Sequence, residues 1–306
     1  LGIEFDVYSG ESQYNKEIKL VIEELNKNGM LKKSKGAMGV GLSEYGLGFA
    51  LIKKSDGTTI YLTRDIAAAI SRYKKYKFSK MIYEVGQEQI LHFKQLFKIL
   101  ELMGYKWSKD CVHVDHGFYL SKSGKKFATR KGKTVFMKDI LEETKKFAKK
   151  EIQKRDKKIK KDALEERAHK IAIAAIFYGD LKNYRKSNIA FDIKKFVSFE
   201  GDTGPYILYS YARAGSILKK STNKAKFEIY DLDKKETDLV QKLSQFQETV
   251  VKAFNNMSPS VIANYSYDIS KSFNEFYHSC PVIGSKEEPF RLALVEAFRT
   301  ILPLLI

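Results

Sequence analysis

Between Thr58 and about Val135 the hydrophobic pattern switches repeatedly between a two-residue and a three-to-four-residue period. Thr58-Thr59-Ile60-Tyr61-Leu62 is β-branched and aromatic and predicts a strand, and the Ala-rich stretch from Asp65 to Tyr73 predicts a helix after it. Lys80 to Val85 predicts a second strand, broken by Gly86. Ile90, Phe93, Phe97 and Leu100 then recur at helical spacing up to a stop at Gly104, and Cys111 to Val114 predicts a third strand. Short strands separated by helices of this length predict parallel crossover units of a doubly wound α/β sheet, in which ligands sit beyond the carboxyl ends of the strands.

After Phe136 the strand signal fades. Ile140, Leu141, Phe147, Ala148 and Ile152 fit one helix, and Leu164, Ala168, Ile171, Ala175 and Tyr178 fit another. Further amphipathic stretches follow at roughly 205–220, 237–256, 258–279 and 287–302, with Pro205 and Pro259 suited to first helical positions. The pattern therefore predicts an all-α bundle beyond an α/β part, with divisions at Phe136 and Gly204.

Charge adds a partner to this picture. The chain of 306 residues has 55 Lys+Arg against 37 Asp+Glu, a formal charge of +18, which favours a polyanion. Residues 121–170 alone hold 19 Lys+Arg against 8 Asp+Glu, so the anion-facing surface is local. The run Lys154 to Asp162 (KRDKKIKKD) is read as an exposed hinge or a polar helix face. Two cysteines, Cys111 and Cys280, are too few for a disulfide framework and point to a reducing compartment. No apolar run approaches the roughly 18 residues of a membrane span. A soluble, cytoplasmic protein is expected, and the first residue, Leu1, suggests a piece of a longer one.

Several familiar motifs fail. Gly132-Lys133-Thr134 imitates the end of a phosphate-binding P-loop, but Phe127 stands where the first glycine is required. The glycines at 36, 39, 41, 46 and 48 precede a strand-like segment and not a helix, so they are not a dinucleotide fingerprint. No G-x-S-x-G elbow occurs, and a basic membrane-surface helix has no clean counterpart. Cys111, His113 and His116 offer three metal ligands or ordinary strand packing; no fourth ligand is near, and no metal site is predicted.

Two features carry candidate chemistry. The segment Lys122 to Lys133 has five lysines, Arg130 and no acidic residue, which suits either a solvated loop or a polyphosphate contact. Tyr61 and Asp65 bracket a predicted strand-to-helix turn. Asp65 there reads as a helix cap or as a carboxylate that pairs with a cationic ligand, a bidentate guanidinium being the best geometric match. Gln89, opening the next helix, points to the same crevice.

Taken together, the segments LGIEFDVYSGES (1–12), SDGTTIYLTRDIAAAI (55–70), YEVGQEQILHFKQLFKILELMGY (83–105), FATRKGKTVFMKDIL (127–141), FEGDTGPYILYSYARA (199–214) and FNEFYHSCPVI (273–283) resemble the arginyl-tRNA synthetase family of class I aminoacyl-tRNA synthetases. The resemblance implies the second half of a Rossmann-type catalytic domain at 1–135, connecting helices that touch the tRNA stem at 136–203, and a helical anticodon-binding domain at 204–306. It implies that Tyr61, Asp65 and Gln89 hold substrate arginine and that Gly86 and His92 contact ATP. The basic loop corresponds to the KMSKS signature. Lys126, Phe127, Ala128, Thr129 and Arg130 stand at its five positions, with Lys131 next; Phe127 and Ala128 replace the usual Met and Ser, and Thr129 the second lysine. Lys126, Thr129 and Arg130 are thereby implied in ATP binding, and Lys126, Arg130 and Lys131 as the cations of catalysis. Tyr206, Tyr209, Arg213 and Tyr277 are implied to meet the anticodon loop. The implied activity is ATP- and Mg-dependent joining of L-arginine to its tRNA by a monomer. The HIGH signature has no counterpart, since no His-x-Gly-His occurs among the five histidines. A non-catalytic RNA-binding module derived from such an enzyme is the competing expectation.

Overall fold

A computed structural model describes residues 1–120, 136–190, 198, 200–227 and 230–305. The chain forms two compact units, Leu1–Gly117 and Phe118–Ile306.

In the first unit, α1 (Asn15–Lys27) leads into a three-stranded antiparallel sheet of β1 (Leu31–Ser34), β2 (Ala37–Gly41) and β3 (Phe49–Lys53), with β2 in the middle. The glycines that failed as a dinucleotide motif serve this sheet. A Cβ on Gly39 would lie 2.4 Å from the Ala50 carbonyl oxygen and against the Phe49 ring. Next come α2 (Tyr61–Tyr76), β4 (Met81–Gly86), α3 (Ile90–Leu102) and β5 (Cys111–His116). β4 and β5 pair in parallel, from Met81 opposite Cys111 to Gly86 opposite His116. The β4–α3–β5 crossover predicted from the hydrophobic period is thus present. Phe93, Leu96, Ile99 and Leu100 form the buried face of α3, and Gly104 follows it with φ +89°, a left-handed conformation that Gly adopts without a Cβ clash.

The strand expected at 58–62 is corrected. Thr59 makes only an isolated bridge to Lys53, and Tyr61 and Leu62 already belong to α2. β-branched propensity suggested a strand, but the apolar positions Leu62, Ile66, Ala69 and Ile70 bury at helical spacing. The Thr63 hydroxyl donates to the Ile52 carbonyl oxygen at 2.6 Å and ties the first turn of α2 to β3. The turn before it is closed by Asp56, whose Oδ1 accepts from the Thr58 amide (2.8 Å) and hydroxyl (2.7 Å).

In the second unit, α4 (Met137–Arg155) and α5 (Lys161–Leu181) pack on each other through Ala148, Ile152, Leu164 and Ala168. The KRDKKIKKD run forms the connection between them and their flanking turns. β6 (Tyr119–Leu120) and β7 (Ile189–Ala190) form a short parallel pair. The bundle follows as α6 (Gly204–Lys220), α7 (Lys234–Ser244), α8 (Phe246–Asn256), α9 (Pro259–Ser279) and α10 (Glu288–Ile301). The stretch expected as one helix at 237–256 is two, divided at Gln245. Thr203 caps α6 by accepting from the Tyr206 amide, with Pro205 in the first turn. The core centres on Phe273 and Phe298, stacked with ring centres 4.1 Å apart, beside Ile207, Leu239, Ile269, Phe276 and Val295. Glu236 is fully buried but not isolated, accepting from Tyr230 Oη, the Asp233 amide and Arg291 Nε. Among the described residues no helix is long and apolar enough to cross a membrane.

Candidate functional site

The row Tyr61, Asp65, Ala68 and Arg72 of α2 forms one wall of a crevice of about 480 Å³ in the first unit. Tyr83 and Val85, two residues apart on β4, supply the floor, and Gln89, His92 and Phe93 approach from the start of α3. The three elements converge because α3 starts just beyond the carboxyl end of β4, where side chains from the strand and from the helix starts meet.

Asp65 is not a helix cap. Ile60 holds the N-cap position of α2, no side chain caps there, and Asp65 lies in the second turn. Its Oδ2 pairs instead with His92 Nε2 at 2.7 Å. Tyr61 is 68% exposed at the crevice mouth, with the Arg64 guanidinium carbon 5.8 Å from its ring centre. Gln89 closes the short 3-10 turn Gln87–Gln89 and lines the crevice. Tyr61, Asp65, Gln89 and His92, four of the residues singled out in the sequence, are therefore brought together. Gly86 ends β4 beside them and is buried, but it is not part of the lining.

Tyr83 and Arg72 are among the lining residues that the sequence does not single out. Tyr83 is buried against Phe93 and Phe97, its hydroxyl has no hydrogen-bond partner among the described residues, and burial pushes its phenol well above the ordinary tyrosine value. Arg72 lies 5.9 Å over the Tyr14 ring. Their only sequence signals are the period-two step from Val85 and the seven-residue step from Asp65.

The possible metal ligands are engaged otherwise. Cys111 is buried near the Trp107 carbonyl, His113 Nε2 bonds the Val85 carbonyl oxygen at 2.9 Å, and His116 pairs with Glu84. Among the described residues no three His, Cys, Asp or Glu side chains converge. Lys126, Thr129, Arg130 and Lys131 lie outside the described residues.

A second surface forms on the bundle. Tyr206, Tyr209 and Arg213 share α6, and Tyr277 comes from α9. The Arg213 guanidinium donates to Asn274 Oδ1 and, at 3.2 Å, to the Tyr209 hydroxyl. Asn274 Nδ2 in turn donates to Ser210 Oγ at 2.7 Å. Tyr209 and Tyr277 are 46% and 38% exposed, so neither belongs to the bundle core. Tyr267, Lys271, Asn274 and His278, at helical spacing on α9, line a depression of about 580 Å³ with Tyr206, Tyr209 and Arg213, whereas Tyr277 is not part of its lining. The α9 residues of this lining went unnoticed in the sequence because that spacing also describes a buried face.

Residues 1–193 match the family model of class I tRNA synthetases (R), catalytic domain, and residues 207–305 match the DALR anticodon binding domain. The chain belongs to the arginyl-tRNA synthetase family. It is 43% identical over 302 residues to an arginine–tRNA ligase of Clostridium acetobutylicum, covering 97% of this chain and 53% of that protein. It is also 43% identical over 306 residues to one of Streptococcus mutans, covering 99% and 54%. The chain thus spans about half the length of the curated relatives it matches. An arginyl-tRNA synthetase from Plasmodium falciparum has the same fold at a TM-score of 0.85 and 25% identity, covering 99% of this chain and 53% of that one. That of Thermus thermophilus, at 24% identity and a TM-score of 0.83, covers 95% and 56% and shares the fold. The expected class, a parallel α/β catalytic portion followed by a helical anticodon-binding domain, is the class found.

Proposed function

We propose that this chain is the arginine- and tRNA-recognising portion of an arginine–tRNA ligase, with catalytic-domain residues at 1–135, connecting helices at 136–203 and anticodon-binding helices at 204–306. The observation that carries the reading is the Asp65 carboxylate in the crevice with Tyr61 and Gln89 beside it. A guanidinium is planar and permanently charged, and a carboxylate is the group that matches it in both charge and two-pronged geometry. Gln89 and the Tyr61 hydroxyl add polar contacts that fix orientation.

In the reaction so assigned, the arginine carboxylate oxygen attacks the α-phosphorus of ATP, forming arginyl-adenylate and releasing pyrophosphate. A ribose hydroxyl of the tRNA then attacks the adenylate carbonyl carbon and AMP leaves. Lys126, Arg130 and Lys131 are the proposed counter-charges for the leaving pyrophosphate, Thr129 a further phosphate contact, and Gly86 an ATP contact at the end of β4. Magnesium fits this site only as a companion of the ATP phosphates, because the described residues converge no donor set of their own. Tyr206, Tyr209, Arg213 and Tyr277 are proposed to stack on unpaired anticodon-loop bases. Two buried free thiols agree with a reducing, cytoplasmic setting, and a monomer is the assembly proposed.

The test is calorimetric titration of the chain with L-arginine and with citrulline, its neutral near-isostere. Arginine is expected to bind and citrulline to bind far more weakly. Asp65→Asn is expected to lower arginine affinity at least about tenfold, since a hydrogen bond to a charged group contributes roughly 1.5–3 kcal/mol. Equal binding of the two amino acids would leave the competing RNA-binding module as the better reading.

A further inference from the structure

The only hydrogen bond that fixes Asp65 in the described structure comes from His92, 27 residues away on another helix, with Nε2 at 2.7 Å from Oδ2. An ionised carboxylate only accepts, so the imidazole must present its Nε2–H to this oxygen, which a neutral ring with that tautomer does as well as an imidazolium. The bond consumes one of the carboxylate's roughly four lone-pair positions, leaving Oδ1 and one position on Oδ2 for a ligand. It also sets the plane of the group. An aspartate in the second turn of a half-exposed helix face otherwise turns about two side-chain bonds, and a bidentate guanidinium contact is lost when the carboxylate plane turns away. His92 is itself restrained: it sits in the first turn of α3 and packs edge-on to Phe93, ring centres 5.2 Å apart at 86°.

We infer that His92 is a positioning residue for arginine, acting through Asp65 by holding the carboxylate in the plane in which it receives a guanidinium. The inference rests on the reading of the crevice as an arginine site. It also differs from the ATP contact that family resemblance implies for His92, because Nε2 is already engaged by Asp65.

Two substitutions separate the donor from the ring. In His92→Gln the side-chain amide nitrogen falls near the position of Nε2 and preserves the bond to Asp65; in His92→Asn the amide falls near Nδ1 and is too short to reach it. Both are polar replacements at a partly exposed site, so both are expected to keep the wild-type melting temperature. In calorimetric titrations at one pH, His92→Gln is expected to bind L-arginine within about threefold of wild type. His92→Asn is expected to bind about tenfold more weakly and to lose arginine-over-citrulline selectivity in parallel. Wild-type affinity in the Asn variant, or equal losses in the Asn and Gln variants, would overturn the positioning role. Asp65→Asn run alongside distinguishes the two levels. If it weakens arginine binding while His92→Asn does not, only this inference fails. If the wild type shows no preference for arginine, the site reading fails and this inference with it.

Discussion

The guanidinium carbon of Arg213 lies 4.8 Å from the ring centre of Tyr277 and 4.7 Å from that of Tyr209. One cation therefore restrains two exposed rings from different helices. An arginine suits this role better than a lysine because its flat, multi-donor head also reaches Asn274 and the Tyr209 hydroxyl.

Tyr209→Ala is accordingly expected to weaken tRNA binding by about 1–3 kcal/mol, the range for losing one base–aromatic stack. The melting temperature should stay put, because the residue is already nearly half exposed. Fluorescence anisotropy with tRNA and a melting curve check this together. A variant that unfolds would place Tyr209 among the groups that hold the bundle.

Binding of tRNA to the chain should also fall steeply with salt. On the proposed reading, the +18 charge, concentrated in residues 121–170, neutralises phosphates whose counterions are released on binding. Raising KCl from 50 to 200 mM is expected to lower affinity at least about tenfold, measured by gel shift. A slope near zero on a double-logarithmic plot would mean that phosphate contacts contribute little.

Tyr83→Phe tests a buried group with no visible partner. The ring packs on Phe93 and Phe97 with centres 4.8 and 5.7 Å away, and those contacts survive the substitution. The hydroxyl is desolvated without a described hydrogen bond, so its removal should leave stability unchanged or raise it by up to about 1 kcal/mol. Denaturant unfolding reads this directly. A loss above about 1 kcal/mol would show that the hydroxyl is bonded, with the neighbouring Arg72 side chain as the candidate donor.

Much of this architecture was legible in the chain. The β4–α3–β5 unit was, because Ile90, Phe93, Phe97 and Leu100 keep one helical face between two β-rich runs. Thr58 to Leu62 misled, since residues with strand propensity there serve a turn and the first turn of α2, and the deciding contact, Thr63 to Ile52, spans 11 residues. In the crevice, Tyr61 and Asp65 stood out because they bracket what the sequence reads as a strand-to-helix turn, and Gln89 because it opens the next helix. The pairing of Asp65 with His92 did not: it joins different helices 27 residues apart and exists only once the crossover has folded. The same holds for Arg213 and Asn274, 61 residues apart.

Both thiols should be inert in the folded chain. Burial pushes Cys111 up to about 11, and burial, reinforced by Asp233 and Glu236, pushes Cys280 up to about 11. At pH 8 a disulfide reagent such as dithionitrobenzoate is expected to titrate both only after unfolding. Fast reaction of either in native buffer would show that it is accessible and ionised.

Glu165 on α5 accepts from Lys149 and, at 2.9 Å, from Lys145, both on α4. Those two ammonium groups hold its carboxyl well below the ordinary value, at about 2 against 4.5. A carboxyl whose folded value is depressed contributes stability at pH above its unfolded value and loses it as pH falls through the interval between the two. The contribution of Glu165 is therefore complete at neutral pH and disappears between about pH 4.5 and pH 2. Both partners reach solvent, so the effect is small and screened by salt. Glu165→Gln, which keeps shape and removes charge, should melt below wild type at pH 7, and the gap should close as pH approaches 2. Other carboxylates titrate in both proteins and cancel in the difference. Melting temperatures from pH 7 downward, at low and at high salt, provide the measurement. Two curves that stay parallel throughout would mean that the lysine contacts do not couple α4 to α5, and that Ala148, Ile152, Leu164 and Ala168 hold the pair by packing alone.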